Sequence, residues 1–117
     1  MRIVLYGAEP EWQWLERFLS GHAGYCYRNV AVEGFSDYDR LIAALGSGPP
    51  ALVIVTMDGA AGMEGVIAAK NLLPEVPVIW FSDDNGFGVQ SYRLGCAYFH
   101  EKPISSEVLL AAIAKCV

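Results

Sequence analysis

Acidic side chains that follow apolar runs are the first residues of this chain that could do chemistry together. They are Glu9, Asp58, Asp83 and Asp84. Carboxylate oxygens are the ligands that hard divalent cations prefer, so this group would form a cation site if the runs are strands that end at one edge of a sheet. Acidic residues more commonly form a solvated rim, and we expect the rim here.

The histidines and cysteines do not suggest a metal site. His22 and His100 are isolated, with no second ligand at a metal-binding spacing. Cys26, Cys96 and Cys116 are odd in number and lack the CxxC spacing of redox and zinc sites. We therefore expect reduced thiols, as in a cytoplasmic protein, with Cys96 serving packing rather than redox sensing.

The loop after the first apolar run decides whether the chain could cradle a phosphate. Residues 6–10 read YGAEP, which is neither a GxGxxG nor a GxxxxGKS motif. The sequence also has no cobalamin-binding DxHxxG. These observations argue against a nucleotide, flavin or cobalamin held in a crevice, which is a third hypothesis for the function.

The composition predicts one compact domain over residues 1–117. Hydrophobic residues make up 54% of the sequence and charged residues 18%, which excludes disorder, and this length suffices for one core.

The net charge of -5 repels phosphate backbones and anionic lipids, so we expect no direct nucleic-acid or membrane partner. No segment approaches the roughly 20 apolar residues of a spanning helix, and the first residues lack a signal-peptide layout, which favours the cytoplasm. The sequence leaves open whether an effector domain follows Val117.

Apolar runs of strand length alternate with stretches of helical length. The predicted strands are residues 3–6, 30–35, 51–56, 78–81 and 97–100. Continuous apolar runs such as residues 52–55 are typical of parallel strands covered on both faces. Five such strands with right-handed crossovers predict an α/β fold, a flavodoxin-like (βα)5 doubly wound five-stranded parallel sheet in three α/β/α layers. The functional crevice of such a sheet lies outside the carboxyl ends of its strands.

Capping residues and periodicity predict the helices. Pro10 opens the first helix, Ser36 caps the second in a capping-box arrangement, and Ser105 caps the last. The third helix is predicted from about residue 63 to residue 73. An asparagine and two glycines lower the helix propensity of residues 83–94, so this stretch is predicted to be part loop.

Two tryptophans lie two positions apart on the predicted first helix. Side chains at this spacing point to different faces, so Trp12 and Trp14 cannot both face the core. We expect one of them to be exposed or to be covered by a partner.

Four stretches of the sequence carry a resemblance to a known family. Residues 95–103 read GCAYFHEKP, which looks like a G-A-x-x-[YF]-x-x-K-P run, and residues 77–82 read PVIWFS, which looks like P-[VI]-I-x-x-[ST]. Residues 63–65 (MEG) resemble the M-D-G opening of the third helix in the same family, and residues 9–10 (EP) resemble its D-E-P turn after the first strand. On these motifs the chain resembles the receiver domains of bacterial response regulators over nearly its whole length.

The resemblance implies a phosphotransfer chemistry and the residues for half of it. A working receiver moves a phosphoryl group from a histidine kinase to an aspartate at the end of the third strand. Two acidic residues after the first strand hold the divalent cation that neutralises the phosphoryl oxygens. By position, Lys102 matches the lysine and Ser82 the hydroxyl that hold the product, and Phe99 matches the aromatic residue that moves in the switch.

The other half of the family's site is missing. Gly7 and Ala8 stand where the paired acids would be, with only the neighbouring Glu9 acidic, and Thr56 stands at the acceptor position. A threonine hydroxyl does not replace a carboxylate without an activating base. Asp83 places a negative charge where a phosphodonor would enter. We therefore interpret the chain as a pseudo-receiver that has no catalytic residue, needs no cofactor, does not require Mg2+ and is not an enzyme.

Asp58 offers an alternative acceptor. It lies two residues beyond Thr56, and as acceptor it would move the carboxylate by several ångströms, since a strand rises about 3.3 Å per residue. Near-attack geometry does not tolerate such a shift. The alternative function is nevertheless a phospho-accepting receiver that uses Asp58 with Mg2+.

Without a phosphoacceptor, the crevice residues have simpler roles and the chain needs another way to signal. We expect Lys102 to form an ion pair with Asp83 or Glu9, and Ser82 to be an ordinary strand-end hydroxyl. The leading hypothesis is an atypical receiver of a two-component system that acts by contact with a protein, either a histidine kinase or an effector domain. A homodimer through the fourth helix, fifth strand and fifth helix is a further expectation.

Overall fold

The computed structural model describes residues 1–26 and 30–116, in which five strands and five helices alternate. The strands β1 to β5 are Arg2–Tyr6, Ala31–Phe35, Leu52–Val55, Val78–Ser82 and Tyr98–Glu101. The helices α1 to α5 are Glu9–Cys26, Tyr38–Gly46, Gly59–Leu72, Gly88–Leu94 and Ser106–Ala114. A short 3-10 helix, Asn85–Phe87, precedes α4.

The strands form one parallel sheet in the order β2-β1-β3-β4-β5. Ile3 pairs with Val32 on one side and with Leu52 on the other, so β1 lies between β2 and β3. The chain reverses its direction of winding between β1 and β3, and the loops after these two strands diverge there. This arrangement confirms the predicted fold class and opens a crevice at the carboxyl ends of the strands.

Side chains alternate between the two faces of the sheet and bury an apolar layer on each. One layer joins the sheet to α1 and α5 through Leu5, Ile79, Leu15, Leu109 and Ile113. The other joins it to α2 and α3 through Val53, Trp80, Leu41, Leu45 and Val66. Each fully buried Leu, Ile or Val contributes about 1.5–3 kcal/mol, so these layers hold the strand ends rigidly.

The cap of α2 differs from the prediction. Ser36 is not the N-cap. That position belongs to Asp37, whose carboxylate accepts a hydrogen bond from the Asp39 amide at 2.9 Å. The Ser36 hydroxyl instead accepts from Trp12 Nε1 at 2.9 Å and donates to the Gly7 carbonyl at 2.8 Å. The prediction was wrong because tertiary partners engage this hydroxyl.

Two other helix ends were predicted correctly. α1 has Pro10 in its first turn. Ser105 caps α5 by accepting from the Val108 amide at 3.1 Å. The stretch before β5 is part loop, as expected, because the 3-10 turn and a short α4 share it, and Gly95 ends α4 with a left-handed φ of 75°.

Helix α3 begins at Gly59, four residues before the predicted start at Met63. Gly59 has a φ of 67°, a backbone conformation that glycine adopts readily, and it turns the chain from Asp58 into the helix. The following alanines are strong helix formers. Residues 59–62, which precede the predicted helix, therefore form the first turn of α3.

The packing of α3 against the end of β3 gives a prediction. A Cβ on Gly62 would overlap the carbonyl oxygen of Met57, which is backbone and cannot rotate away. Gly62→Ala is expected to lower the free energy of unfolding by about 2 kcal/mol, measured by urea denaturation. Gly21→Ala is the control, because its Cβ meets nothing within 4 Å and alanine favours α1 by about 0.5–1 kcal/mol. Equal effects of the two substitutions would contradict the packing.

Candidate functional site

The carboxyl ends of the central strands bring the predicted site residues to one edge of the sheet. The Thr56 amide donates to the Tyr6 carbonyl at 2.7 Å, which places residue 56 beside Gly7. The Lys102 amide donates to the Ser82 carbonyl at 2.8 Å, which places these two residues side by side. Beyond these backbone bonds, the side chain of Lys102 connects the loops at this edge of the sheet.

Lys102 is the centre of the crevice. Its Nζ donates to the Thr56 carbonyl at 2.7 Å, and it lies 2.8 Å from Asp58 Oδ1 and 2.9 Å from Glu11 Oε1. These contacts provide an acceptor for each of the three ammonium protons. The side chain of Lys102 therefore joins α1, the end of β3 and the loop before α3.

The ion-pair partners of Lys102 differ from the prediction, which named Asp83 or Glu9. The Glu9 carboxylate accepts from Gln13 Nε2 at 3.0 Å, one turn further along α1, while Glu11 faces Lys102. Glu11 is the site residue that the sequence analysis missed. Its signal was its position in the first turn of α1, directly after the loop that follows β1.

The environment of Lys102 keeps its ammonium charged. Burial lowers the pKa of Lys102, but the hydrogen bonds to Asp58 and Glu11 outweigh it, and the net effect raises the pKa above its ordinary value. A raised pKa in the folded state means that the lysine contributes its full stability at neutral pH. That contribution is lost only as the pH rises through the raised value.

Thr56 and Gly7 fit each other as a pair. Thr56 is fully buried, and its Oγ1 has no hydrogen-bond partner among the residues that the structure describes. A Cβ on Gly7 would overlap this oxygen, so the threonine side chain fills the space that a side chain at position 7 would need. No described group accepts the Thr56 proton, and the hydroxyl lacks the base that nucleophilic attack requires.

The unpartnered hydroxyl of Thr56 gives a second prediction. Thr56→Val keeps the shape of the side chain and removes the buried polar atom, so it is expected to raise the free energy of unfolding by about 1 kcal/mol in urea denaturation. Ser82→Ala is the matched control, because Ser82 is also a fully buried strand-end residue but its Oγ accepts from the Asp84 amide at 3.1 Å. This control should lose about 1 kcal/mol. A destabilised valine variant would show that the Thr56 hydroxyl has a partner.

Ser82 and the acids after β4 form a local turn. The Asp84 amide donates to Ser82 Oγ, while the Asp84 carboxylate accepts from the Gly86 amide at 2.8 Å and caps the 3-10 helix. The Asp83 side chain is exposed, and its amide lies 3.4 Å from Asp58 Oδ1, a long hydrogen bond. Among the described residues, the Ser82 side chain therefore makes no hydrogen bond to Lys102 Nζ or to the Thr56 side chain.

Phe99 packs against the core behind the crevice. Its ring meets Trp80 edge to face, with centroids 5.5 Å apart, and Trp80 also contacts Phe87 at 5.2 Å. The Cβ position of Gly88 lies 3.7 Å from the Phe99 ring. The position that the resemblance assigns to the switch is therefore half-buried against α4 in this structure.

Among the side chains that the structure describes, acidic, histidine and cysteine residues do not assemble into a metal site. No group of three or more of these side chains could hold a metal ion, and Glu9, Asp58, Asp83 and Asp84 are all exposed. His100 Nδ1 lies 2.6 Å from the Glu101 carbonyl, and its ring stacks on Tyr98.

The cysteine side chains that the structure describes are free thiols. Burial raises the pKa of Cys96 to about 11, and this residue packs against the core. Cys116 is also free and partly buried. The side chains of His22 and Cys26 lie outside the described part of the chain. Among the described helices, none has the length and apolarity that crossing a membrane requires.

The fold resembles solved structures of receiver domains. The response regulator protein TrrA of Thermotoga maritima, in complex with Mg2+ and BeF, has a TM-score of 0.79 at 16% identity, covering 99% of this chain and 98% of that chain. The chemotaxis protein CheY4 of Vibrio cholerae has a TM-score of 0.81 at 15% identity, over 99% of this chain and 98% of that chain. The CpaE2 pilus assembly protein of Sinorhizobium meliloti has a TM-score of 0.74 at 18% identity, over 100% of both chains.

These likenesses establish the fold. No protein-family profile and no curated protein matches the sequence. The chain therefore has the fold of response-regulator receiver domains, in agreement with the motifs in its sequence, while its crevice residues must be interpreted on their own chemistry.

Proposed function

We propose that the chain is an atypical receiver of a two-component system, which signals by contact with another protein and not by phosphorylation of an aspartate. One observation supports this most directly. Lys102, the residue that would hold a phosphoryl group, already has three acceptors in Glu11, Asp58 and the Thr56 carbonyl. An incoming phosphoryl group would have to displace two carboxylates.

The residues at the strand ends support the same proposal. Phosphotransfer to a receiver needs a bare carboxylate acceptor and two acids that hold a divalent cation, because the phosphoryl oxygens must be neutralised. Gly7, Ala8 and Thr56 supply none of these carboxylates. The proposed function therefore uses no Mg2+ and no other cofactor.

A domain that gains no phosphoryl group needs another source of switching. A partner shifts a conformational equilibrium only if it binds one state more tightly than the other. We assign this role to a protein, either a histidine kinase or an effector, in the cytoplasm. The net charge of -5 disfavours nucleic acid as the direct partner.

A homodimer through α4, β5 and α5 is part of the proposal. β5 is an edge strand, and the helices beside it expose apolar side chains, of which Tyr92 is 88% and Val89 60% exposed. Lys115 Nζ lies 5.4 Å from the centroid of the Tyr98 ring. The same elements carry charges of both signs, namely Arg93, Glu101, Glu107 and Lys115. Mixed charges around apolar residues suit a self-complementary contact between two copies.

The dimer is tested by the oligomeric state of the Tyr92→Glu variant. Sedimentation velocity of the unmodified chain should show a dimer that dissociates on dilution, and Tyr92→Glu should shift it to monomer. Tyr38→Glu, on the exposed surface of α2, should leave the dimer intact. A chain that is monomeric at all concentrations would overturn this part of the proposal.

Acetyl phosphate with Mg2+ tests the function itself. The intact mass of the chain should stay unchanged after incubation, while a phosphorylatable receiver treated in parallel gains one phosphoryl group. A stoichiometric adduct that survives acid but not base would be an acyl phosphate and would refute the proposal.

One observation favours the second candidate function, a receiver that accepts phosphate on Asp58 with Mg2+. The Asp58 carboxylate is 52% exposed and lies 2.8 Å from Lys102 Nζ, so a donor could reach it next to the lysine. Under this alternative, acetyl phosphate or a kinase labels the chain, and Asp58→Asn abolishes the label. A chain that is never labelled ends the alternative.

A further inference from the structure

A groove lies beside the crevice, between α1 and the segment that follows β5. It has a volume of about 600 Å3, and its lining residues are Pro10, Glu11, Trp14, Lys102, Pro103 and Ile104. Most of these are apolar, and the charged groups come from one ion pair. The groove is thus a mostly apolar surface with a carboxylate and an ammonium at one side.

The charge beside this groove is negative. Lys102 is paired with two carboxylates, Glu11 and Asp58, so the cluster carries one more negative than positive charge. The half-charge at the N-terminus of α1 offsets only part of this excess. The ammonium has used its three protons, whereas each carboxylate can accept several hydrogen bonds and accepts only one from the lysine. The unused acceptor positions of the two carboxylates therefore favour a hydrogen-bond donor that carries positive charge.

Trp14 provides the aromatic surface of the groove. The prediction that Trp12 and Trp14 face different ways is confirmed, because Trp12 packs against the core and Trp14 is 37% exposed. The Trp14 ring stacks on Phe18, with centroids 5.6 Å apart and an interplanar angle of 18°. An aromatic ring beside an acidic group attracts cations, and the planar guanidinium of arginine both stacks on tryptophan and binds carboxylates through two hydrogen bonds.

We propose that this groove binds an arginine side chain of a partner protein, flanked by apolar residues that cover Pro103 and Ile104. The guanidinium would stack on Trp14 and donate to Glu11, and the apolar neighbours would fill the remaining volume. The inference rests on the proposed signalling by protein contact, for which it names the chemistry of the partner.

The position of Glu11 links the groove to the crevice. A guanidinium that binds the free positions of the Glu11 carboxylate shares its negative charge with Lys102 Nζ and weakens the bond between them, so that the ammonium group interacts more strongly with Asp58 and the Thr56 carbonyl. Binding in the groove therefore alters the contacts of Lys102 at the end of β3. This is the place where a phosphoryl group acts in a working receiver. Partner binding would thus replace phosphorylation as the input.

The test is a titration of the 15N-labelled chain with the peptide acetyl-Leu-Arg-Leu-amide, followed by NMR. The control peptide carries citrulline, which has nearly the same shape as arginine but no charge. The arginine peptide should shift the Trp14 indole signal and the amides of residues 11–14, Lys102 and Ile104. It should bind about tenfold more tightly than the citrulline peptide, as expected for a cation on tryptophan and a carboxylate.

Variants decide whether the groove itself binds the peptide. Trp14→Ala should weaken the arginine peptide about fivefold or more, since its cation contact is lost, while Gln13→Ala on the neighbouring exposed position should change nothing. Glu11→Gln should remove most of the preference for arginine over citrulline. Equal affinities for the two peptides, or unchanged binding by Trp14→Ala, would overturn the inference. None of these outcomes depends on whether acetyl phosphate labels the chain, so the two proposals fail separately.

Discussion

The variant in which Gly7, Ala8 and Thr56 are all replaced by aspartate is expected to bind beryllofluoride in the presence of Mg2+, and the unmodified chain is expected not to bind it. The reason is that the sheet already brings positions 7 and 56 together and Lys102 beside Ser82, so the substitutions add the missing carboxylates at this edge, where the ligand then competes with Glu11 and Asp58 for Lys102. Three aspartates would supply the oxygen ligands that Mg2+ requires and the acceptor that beryllofluoride coordinates. Isothermal titration calorimetry with beryllofluoride, with and without Mg2+, measures the gain.

The single substitutions should fail for different physical reasons. Gly7→Asp alone forces its Cβ into Thr56 Oγ1, so we expect a destabilised chain without new binding. Thr56→Asp alone creates no overlap, because residue 7 is still glycine, but it leaves the metal without the acids after β1. The triple variant with Asp58→Asn added is the control. It should still bind beryllofluoride, because the carboxylate of Asp58 is not needed once aspartate occupies position 56. A folded triple variant without saturable, Mg2+-dependent binding would show that the crevice is unsuited in some further way.

Lys102→Met is expected to lower the free energy of unfolding by about 2 kcal/mol at neutral pH. The loss is smaller than when a fully buried ion pair loses one member, because the ion pairs of Lys102 are partly exposed. The substitution leaves the carboxylates of Glu11 and Asp58 facing each other and the Thr56 carbonyl without its donor. Urea denaturation measures the loss. Lys115→Met is the control, and it should change the stability by less than about 0.5 kcal/mol because that lysine lies exposed over Tyr98.

The pH dependence of this difference identifies its cause. The raised pKa of Lys102 means that the folded state holds the lysine proton more tightly than the unfolded state does, so the contribution is full below the ordinary value of 10.5. Above that value the unfolded chain loses this proton first, and the stability gap between the unmodified chain and Lys102→Met should shrink until the pH has passed the raised pKa of the folded state. A gap that does not change with alkaline pH would mean that lost packing, and not the ion pairs, causes the destabilisation.

The fold was predictable because its signal is repeated along the chain. The apolar runs of β1, β3 and β4 are buried on both faces, and such continuous runs occur in few architectures other than a covered parallel sheet. Local signals failed where tertiary contacts override them. Ser36 has the residue type of an N-cap, yet Trp12 and Gly7 engage its hydroxyl, and nothing in the local sequence announces these distant partners.

The membership of the site was more predictable than its contacts. Residues that follow neighbouring parallel strands must meet at one edge, so Thr56, Ser82 and Lys102 could be placed together from the sequence. The choice of Glu11 over Glu9 depends on which side of α1 faces β5, and this follows from how the helix packs and not from its sequence spacing. The fit between Thr56 and the missing side chain of Gly7 is likewise a property of two strands in register.

The backbone amide and carbonyl of Gly7 are both hydrogen-bonded to residues at the end of β2. Its amide donates to the Phe35 carbonyl at 3.0 Å, and its carbonyl accepts from the Ser36 hydroxyl, which Trp12 holds in turn. These bonds hold the loop after β1 against the end of β2. We therefore expect this loop to move less on partner binding than the start of the turn after β4, where the Asp83 amide has only a long hydrogen bond. In deuterium exchange, the Gly7 amide should outlast those of Asp83 and Asp84.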